Sequence, residues 1–220
     1  MPRNIDRLAD LVTIASEAMK ESGKRVFLAI AGAPGSGKST TADALFNKLD
    51  QAYPGRIAIL PMDGFHFDDA VLRQMERLPW KGAPDTFDVG GLRSILGRLR
   101  EGSEANIAVP VFDRELEISR GSARLIASDV DLVIVEGNYL LLDQSPWKDL
   151  APFFDLTVFV EVPEEELRCR LRQRWTRLGL SEREILHKLE GNDLPNGQLV
   201  MHGSRSADVI FNAHKHEQKQ

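Results

Sequence analysis

Val26-Phe27-Leu28-Ala29-Ile30-Ala31-Gly32-Ala33-Pro34-Gly35-Ser36-Gly37-Lys38-Ser39-Thr40 is the stretch that decides the fold. Val26 to Ala31 is a short apolar run, partly β-branched, and suits a strand buried on both faces of a parallel sheet. Gly32, Gly37, Lys38 and Ser39 then fit G-x-x-x-x-G-K-[ST], the phosphate-binding loop. Glycines in such a loop let backbone N–H groups turn inward around phosphate oxygens, where side chains would obstruct them. Lys38 supplies a point charge for the β- and γ-phosphates, and the Ser39 hydroxyl is placed to ligate Mg²⁺. Ala42, Leu45, Phe46 and Leu49 recur at helical spacing, so a helix begins here with its N-terminal dipole aimed at the anion. At ordinary residue frequencies roughly one chain in a hundred of this length matches the motif by chance. The strand before it and the helix after it make chance a poor explanation. The whole run 32–40 is therefore expected to hold a nucleoside triphosphate.

The rest of the composition narrows the class. A chain of 220 residues allows one sizeable α/β domain, here expected to span 1–220. Its 42% hydrophobic and 28% charged residues are those of an ordinary globular protein. A net charge of -5 leaves no wide basic face for nucleic acid. The lone cysteine, Cys169, excludes an internal disulfide and a Cys-based zinc site. No apolar run is long enough to span a membrane and Met1–Asp10 carries no signal pattern, so a cytoplasmic protein is expected. A homo-oligomer is compatible with all of this.

Outward from the loop, strands and helices alternate. Residues 4–22 carry an apolar stripe (Ile5, Leu8, Leu11, Val12, Ala15, Met19) and predict a helix ended by Gly23. Ile57–Leu60 reads as a second buried strand, with Asp63 just past its end. Residues 68–78 read as helix, 78–85 as an irregular surface loop, and 88–101 as helix again. Ile107–Val111 and Ala123–Ala127 suggest a hairpin-like excursion around Asp113–Arg120. Leu132–Val135 and Leu156–Val162 are further buried strands, the first ending in Glu136-Gly137-Asn138. Pro163 with Glu164, Glu165 and Glu166 opens a helix to 178, with Leu167, Leu171, Trp175 and Leu178 as its core face. Ser181 and Glu184 fit a capping box for a helix to about Glu190. Asp208–Phe211 is a last strand, and the tail 214–220 is polar and expected to fray. This alternation implies an α/β fold, a parallel sheet covered by helices on both faces.

In such a sheet ligands bind at the carboxyl ends of the strands. The loop 32–40, Asp63 and Glu136 all fall there. Asp63 can accept the proton of an attacking hydroxyl or help hold Mg²⁺; as a bland alternative it caps the next helix. Glu136 stands where a Walker-B acid stands and, with Ser39, is a candidate metal ligand and substrate-ordering group, with Asn138 beside it. Arg168, Arg170, Arg172, Arg174 and Arg177 crowd one helix, and at least one of the last four is expected to neutralise transferring charge. Asn47-Lys48-Leu49-Asp50 matches a guanine-specifying motif, yet lies within the helix after the loop and cannot reach a base. His66 can touch substrate beside Asp63, whereas His187 reads as a helix-surface residue, and neither has metal-ligand companions.

Gly32–Thr40, residues 61–66 (Pro-Met-Asp-Gly-Phe-His), 81–88 (Lys-Gly-Ala-Pro-Asp-Thr-Phe-Asp), 109–113 (Val-Pro-Val-Phe-Asp) and 133–137 resemble, in order, the uridine kinase, phosphoribulokinase and pantothenate kinase superfamily. Together with Glu-Gly-Asn-Tyr (136–139) and Asn-Asp-Leu-Pro-Asn (192–196), they look most like a bacterial uridine kinase-like or fructokinase-like branch. The resemblance implies a P-loop kinase that uses ATP and Mg²⁺ on a small-molecule acceptor, a sugar before a nucleoside before pantothenate. It implies Asp63 as catalytic base, Phe87 and Asp88 in the acceptor pocket, and a lid around 168–180 that includes Arg172 and Arg174. Acceptor choice would then rest on 63–67, 81–88 and 110–120, the last of which holds Arg114. Asp-Gly-Phe-His replaces the Asp-(Ser/Asp)-Phe-Tyr of true uridine kinases. The rivals from other classes are an ATPase or nucleotide switch without a small acceptor, and a binding module without catalysis.

Overall fold

The computed structural model describes residues 1–212. In chain order they form β1 (Arg3–Ile5), α1 (Leu8–Ser22), β2 (Val26–Ala31), α2 (Lys38–Ala52), β3 (Ile57–Pro61), α3 (Asp69–Gln74), α4 (Val89–Glu101), β4 (Asn106–Asp113), β5 (Ile118–Ala127), β6 (Leu132–Glu136), β7 (Leu156–Glu161), α5 (Glu164–Arg177), α6 (Glu182–Lys188), α7 (Leu194–Gly203) and β8 (Val209–Asn212). Six strands build one parallel sheet in the order β1-β8-β7-β2-β6-β3, and β4 and β5 form a separate antiparallel pair. The polar tail 214–220 lies outside the described residues.

The six residues of β2 are all buried because the strand is covered on both sides. Phe27, Ala29 and Ala31 join Leu92, Leu96 and Leu99 of α4 and residues 139–142 in one core. Val26, Leu28 and Ile30 point the other way, against Leu11 and Ala15 of α1 and Ala42, Leu45 and Leu49 of α2. The side-chain period of two thus splits one apolar run between two cores. A smaller third core, Leu171, Ile185, Leu189 and Leu194, ties α5 to α6 and α7. Strand register sets the business end of the sheet level: Glu136 lies beside Ile30 on one side and Pro61 on the other.

Several expectations need correction. The first helix begins at Leu8, not residue 4, because Arg3–Ile5 pairs with Val209–Phe211 as a short edge strand. The helix expected over 68–78 closes after Gln74, and the region 78–87 is not a free surface loop. It makes two 3₁₀ turns, Leu78–Trp80 and Pro84–Thr86, and buries Ala83, Thr86 and Phe87. Tyr139 Oη donates to the Gly82 carbonyl at 2.5 Å and Trp147 Nε1 to that of Pro84 at 3.1 Å, which pins the segment against the core. Leu178 is 60% exposed rather than core. Beyond the expected helix, a π-helical turn over Leu189–Asp193 leads into α7, an element the sequence reading lacked. The capping box at Ser181 and Glu184 is present, and the hairpin forms where it was expected.

Candidate active site

The phosphate side is built first by backbone. α2 starts at Lys38, immediately after Gly37, so its unpaired N–H groups and dipole face the loop. Gly32 tolerates no side chain: a Cβ there would sit 2.6 Å from Ser36 Oγ and 2.9 Å from the Val160 carbonyl. Ser36 Oγ is fully buried and lacks a hydrogen-bond partner among the described residues, an orphan that a phosphate oxygen would satisfy. Ala33 is buried, Pro34 and Gly35 are half-buried, and Thr40 is exposed, while Thr41 Oγ1 donates to the Gly37 carbonyl at 3.0 Å. Arg170, ion-paired with Glu166 at 2.8 Å, reaches the loop rim 3.4 Å from the Ser36 carbonyl.

Ser39 Oγ donates to Glu136 Oε2 at 3.0 Å, which joins the loop to the end of β6. Glu136 is buried, and that burial pushes its carboxyl up. Lys38 and Ser39 pull it down, and Asp63 pushes it up further. A hydroxyl and a carboxylate at hydrogen-bond distance are hard oxygen donors. They fit Mg²⁺, which takes few protein ligands and keeps waters and phosphate oxygens for the rest.

Asp63 occupies the 3₁₀ turn Met62–Phe65, two residues past the end of β3, and its side chain is 19% exposed. Its Oδ2 accepts from Arg114 Nη2 at 2.8 Å. Burial alone would raise this carboxyl, but Lys38, His66 and Arg114 together hold it below the ordinary carboxylate value. Capping does not account for it: Asp68 is the residue that caps α3, accepting from Ala70 N at 2.7 Å. Gly64 must be small, since a Cβ would lie 2.5 Å from the Pro110 carbonyl where the hairpin crosses the turn. Ser119 Oγ donates to the Gly64 carbonyl and Arg124 Nη1 to that of Ile59 at 2.7 Å, so the hairpin is fastened to β3 and its turn. That docking is what brings Arg114 to Asp63.

Around Asp63 lies a cavity of about 160 Å³, equivalent to about five waters of liquid. His66, Phe87, Arg114, Asn138 and Arg174 line it; the first four are those the sequence reading named for the substrate. His66 donates from Nδ1 to the Asp63 carbonyl at 2.8 Å, and its ring packs tilted against Phe87 (centroids 4.0 Å apart) and Phe112 (4.7 Å). Burial lowers its pKa, so at neutral pH its Nε2 is an acceptor. Asn138 Oδ1 is buried and has no partner among the described residues. A second cavity of about 170 Å³ also borders Asp63 and is lined by Ser39 and Glu136. Asp63 therefore stands between the Ser39–Glu136 pair and the first cavity.

Two expected residues stand elsewhere. Asp88 is exposed and caps α4, accepting from Gly91 N at 2.8 Å, so it does not line the cavity. Arg172 is engaged with Glu182 on the outer face of α5 and α6, away from the cavity that Arg174 lines. Arginine spacing alone could not choose among these positions; their neighbours on α6 decide it. His187 is exposed, as read from the sequence. Lys81, Trp175, Asn192, Asp193 and Asn196 also line the cavity and were missed as site residues. Lys81 and Asn192–Asn196 fell within recognised motifs, but only the hydrogen bond from Asn192 in the π-helical turn to the Lys81 carbonyl shows that they converge.

Residues 27–217 match the phosphoribulokinase / uridine kinase family. The Escherichia coli (strain K12) protein YggC is 37% identical over 189 residues, 85% of this chain and 77% of its own. A provisionally named uridine kinase of Schizosaccharomyces pombe is 28% identical over 212 residues, 92% of this chain and 88% of its own. Among solved structures, a provisionally named fructose transport system kinase from Silicibacter sp. TM1040 superposes with a TM-score of 0.86 at 35% identity. It covers 93% of this chain and 98% of its own.

Proposed function

Because the chain belongs to the phosphoribulokinase / uridine kinase family, it is a phosphotransferase acting on hydroxyl acceptors, and we propose that it transfers the γ-phosphoryl group of ATP to a hydroxyl of a sugar such as fructose. The observation that carries this reading is Asp63, an ionised carboxylate poised between the Ser39–Glu136 pair and a small cavity. The acceptor hydroxyl gives its proton to Asp63 as its oxygen attacks the γ-phosphorus, and the bond to the β-phosphate oxygen breaks to leave ADP. Lys38 and the loop amides hold the phosphates, and Arg114 keeps Asp63 charged and oriented. Arg174, at the cavity wall on α5, supplies mobile positive charge as the segment around 168–180 closes. Mg²⁺ held by Ser39 and Glu136 would neutralise the β- and γ-phosphate oxygens. The reaction belongs in the cytoplasm, where ATP is abundant; among the described residues no helix is long and apolar enough to cross a membrane.

A nucleoside acceptor is the second reading, favoured by the tilted aromatic rings of His66 and Phe112 at the cavity, which give a base aromatic surface to pack against. Release of ADP from ATP·Mg²⁺, followed against sugars, nucleosides and pantothenate, separates the two. Turnover that needs no acceptor at all would replace both with an ATPase.

A further inference from the structure

Arg114 reaches Asp63 from the end of a hairpin whose tip has little packing to hold it. Strand pairing stops at Asp113 and Ile118, and the chain turns between them. Within the turn Glu115 N and Leu116 N both donate to Asp113 Oδ1 at 3.1 Å, and Leu116 is 64% exposed, so the tip buries no large apolar side chain. Glu117 has a φ of 55°, a left-handed conformation that a residue with a side chain keeps only where its surroundings over-determine it. Its carbonyl is held: Lys81 Nζ donates to it at 2.5 Å. Among the described residues, this bond and the Arg114–Asp63 pair are the hydrogen bonds that tie the turn to the body of the protein.

Lys81 is built as a strut. Its side chain is 17% exposed, and its ammonium also pairs with Asp69 Oδ1 on α3 at 2.7 Å. The same ammonium lies 5.4 Å from the centre of the Phe112 ring, on the hairpin just before the turn. Two of its three N–H donors are thus committed, one to each side of the gap. Its backbone is held independently. The Lys81 carbonyl accepts from Asn192 Nδ2 in the π-helical turn at 3.0 Å, and the Gly82 carbonyl from Tyr139 Oη at 2.5 Å. We propose that Lys81 is a positioning residue for the transfer: by holding the Glu117 carbonyl it fixes the hairpin tip, and through the tip it keeps Arg114 on Asp63. The inference rests on the reading of Asp63 as the base and adds to it a residue that acts at a distance. Lys81 also lines the acceptor cavity, so the experiment must separate a strut from a direct contact with the acceptor. Asp69 makes that possible, because it lines neither cavity that borders Asp63.

Lys81→Met keeps the aliphatic stem and removes the ammonium, whereas Asp69→Ala leaves the ammonium in place and removes its outer anchor. The full chain is assayed for ADP release at saturating ATP·Mg²⁺ with D-fructose and with uridine, and amide hydrogen exchange over 112–118 follows the tip without any acceptor. Lys81→Met should lower kcat ~10–100-fold, the scale of misplacing a reacting group by about 1 Å, with the KM for ATP and Tm little changed. Asp69→Ala should lower kcat in the same direction by a smaller factor, and both variants should speed exchange at the tip. In an Arg114→Ala background Lys81→Met should lower kcat by less than about 3-fold more, because its effect passes through Arg114. A raised acceptor KM at unchanged kcat, with Asp69→Ala silent, would mean that the ammonium binds the acceptor directly, and overturns the inference. Tip exchange equal to wild type, or full additivity with Arg114→Ala, overturns it too. ADP release that needs no acceptor removes the kinase reading instead, and tip exchange still decides whether Lys81 holds the tip.

Discussion

Asp63→Asn separates catalysis from architecture by magnitude. The side chain makes one ion pair, to Arg114 at 2.8 Å, and Arg114 is 54% exposed. Solvent screens such a pair, so its structural worth is about 0.2–1 kcal/mol. At about 2–4 °C per kcal/mol for a domain of this size, Tm should move by a few degrees at most. A general base contributes ~10²–10⁴-fold, which at 1.36 kcal/mol per tenfold is about 2.7–5.4 kcal/mol of barrier. The two ranges do not overlap. Asn is nearly isosteric and removes the charge that takes the proton, so kcat should fall ~10²–10⁴-fold while the KM for ATP stays within a small factor. The assay is steady-state ADP release with the preferred acceptor, paired with thermal unfolding. Adding Arg114→Ala tests the linkage further: it should slow the wild-type enzyme and do little more in the Asp63→Asn background, since its partner's charge is already gone. An Asp63→Asn enzyme that turns over at the wild-type rate would refute the reasoning and move the role of base to Glu136.

Lys38→Ala should abolish transfer by ~10²-fold or more with the fold intact, since Lys38 belongs to a half-exposed loop edge; unchanged turnover would remove the phosphate-clamp assignment. Arg174→Ala should lower kcat at least ~10²-fold, whereas Arg172→Ala, whose pair with Glu182 is half-exposed, should leave kcat near wild type; the reverse ranking would mean that the segment closes by presenting its other face. Lys38, His66 and Arg114 hold Asp63 below the ordinary carboxylate range, and burial lowers His66, so neither changes charge between pH 7 and 8. Both Asp63 and Glu136 act as carboxylates, and since Glu136 is pushed up by burial while Asp63 is held down, activity is first lost as pH falls through the Glu136 value. Arg114→Ala removes a charge that lowers both carboxyls, so the acidic limb should move to higher pH, and an unmoved limb would argue that neither carboxyl sets it.

The phosphate side was legible in the sequence because its chemistry is local. Gly32 to Ser39 act through backbone and through side chains within one turn of each other, and the strand and helix around them announce themselves by periodicity. Glu136 was legible because a buried strand must end somewhere, and its end carries the acid. The acceptor side was only half legible. Phe87 and Arg114 were named, but Asp88 turned out to cap α4, a role open to any Asp just before a helix. The π-turn and α7 escaped because Gly191, Pro195 and Gly197 read as breakers. Pro195 sits in the first turn of α7, where its missing N–H costs nothing. Residues 3–5 are a strand only by virtue of pairing with β8 some two hundred residues later, which no local pattern reveals.

The hairpin of β4 and β5 shares no strand pairing with the main sheet. It contributes Arg114 from its tip, while the opposite wall comes from the π-turn and α7, and the phosphate cradle belongs to β2 and α2. Such an arrangement makes the molecule modular in its history. Drift in 110–120 or 192–196 can exchange one acceptor for another while the sheet and its nucleotide chemistry are inherited untouched. Relatives with the same cradle and different acceptors are the natural outcome, and the same two segments are where a designer would graft a new selectivity.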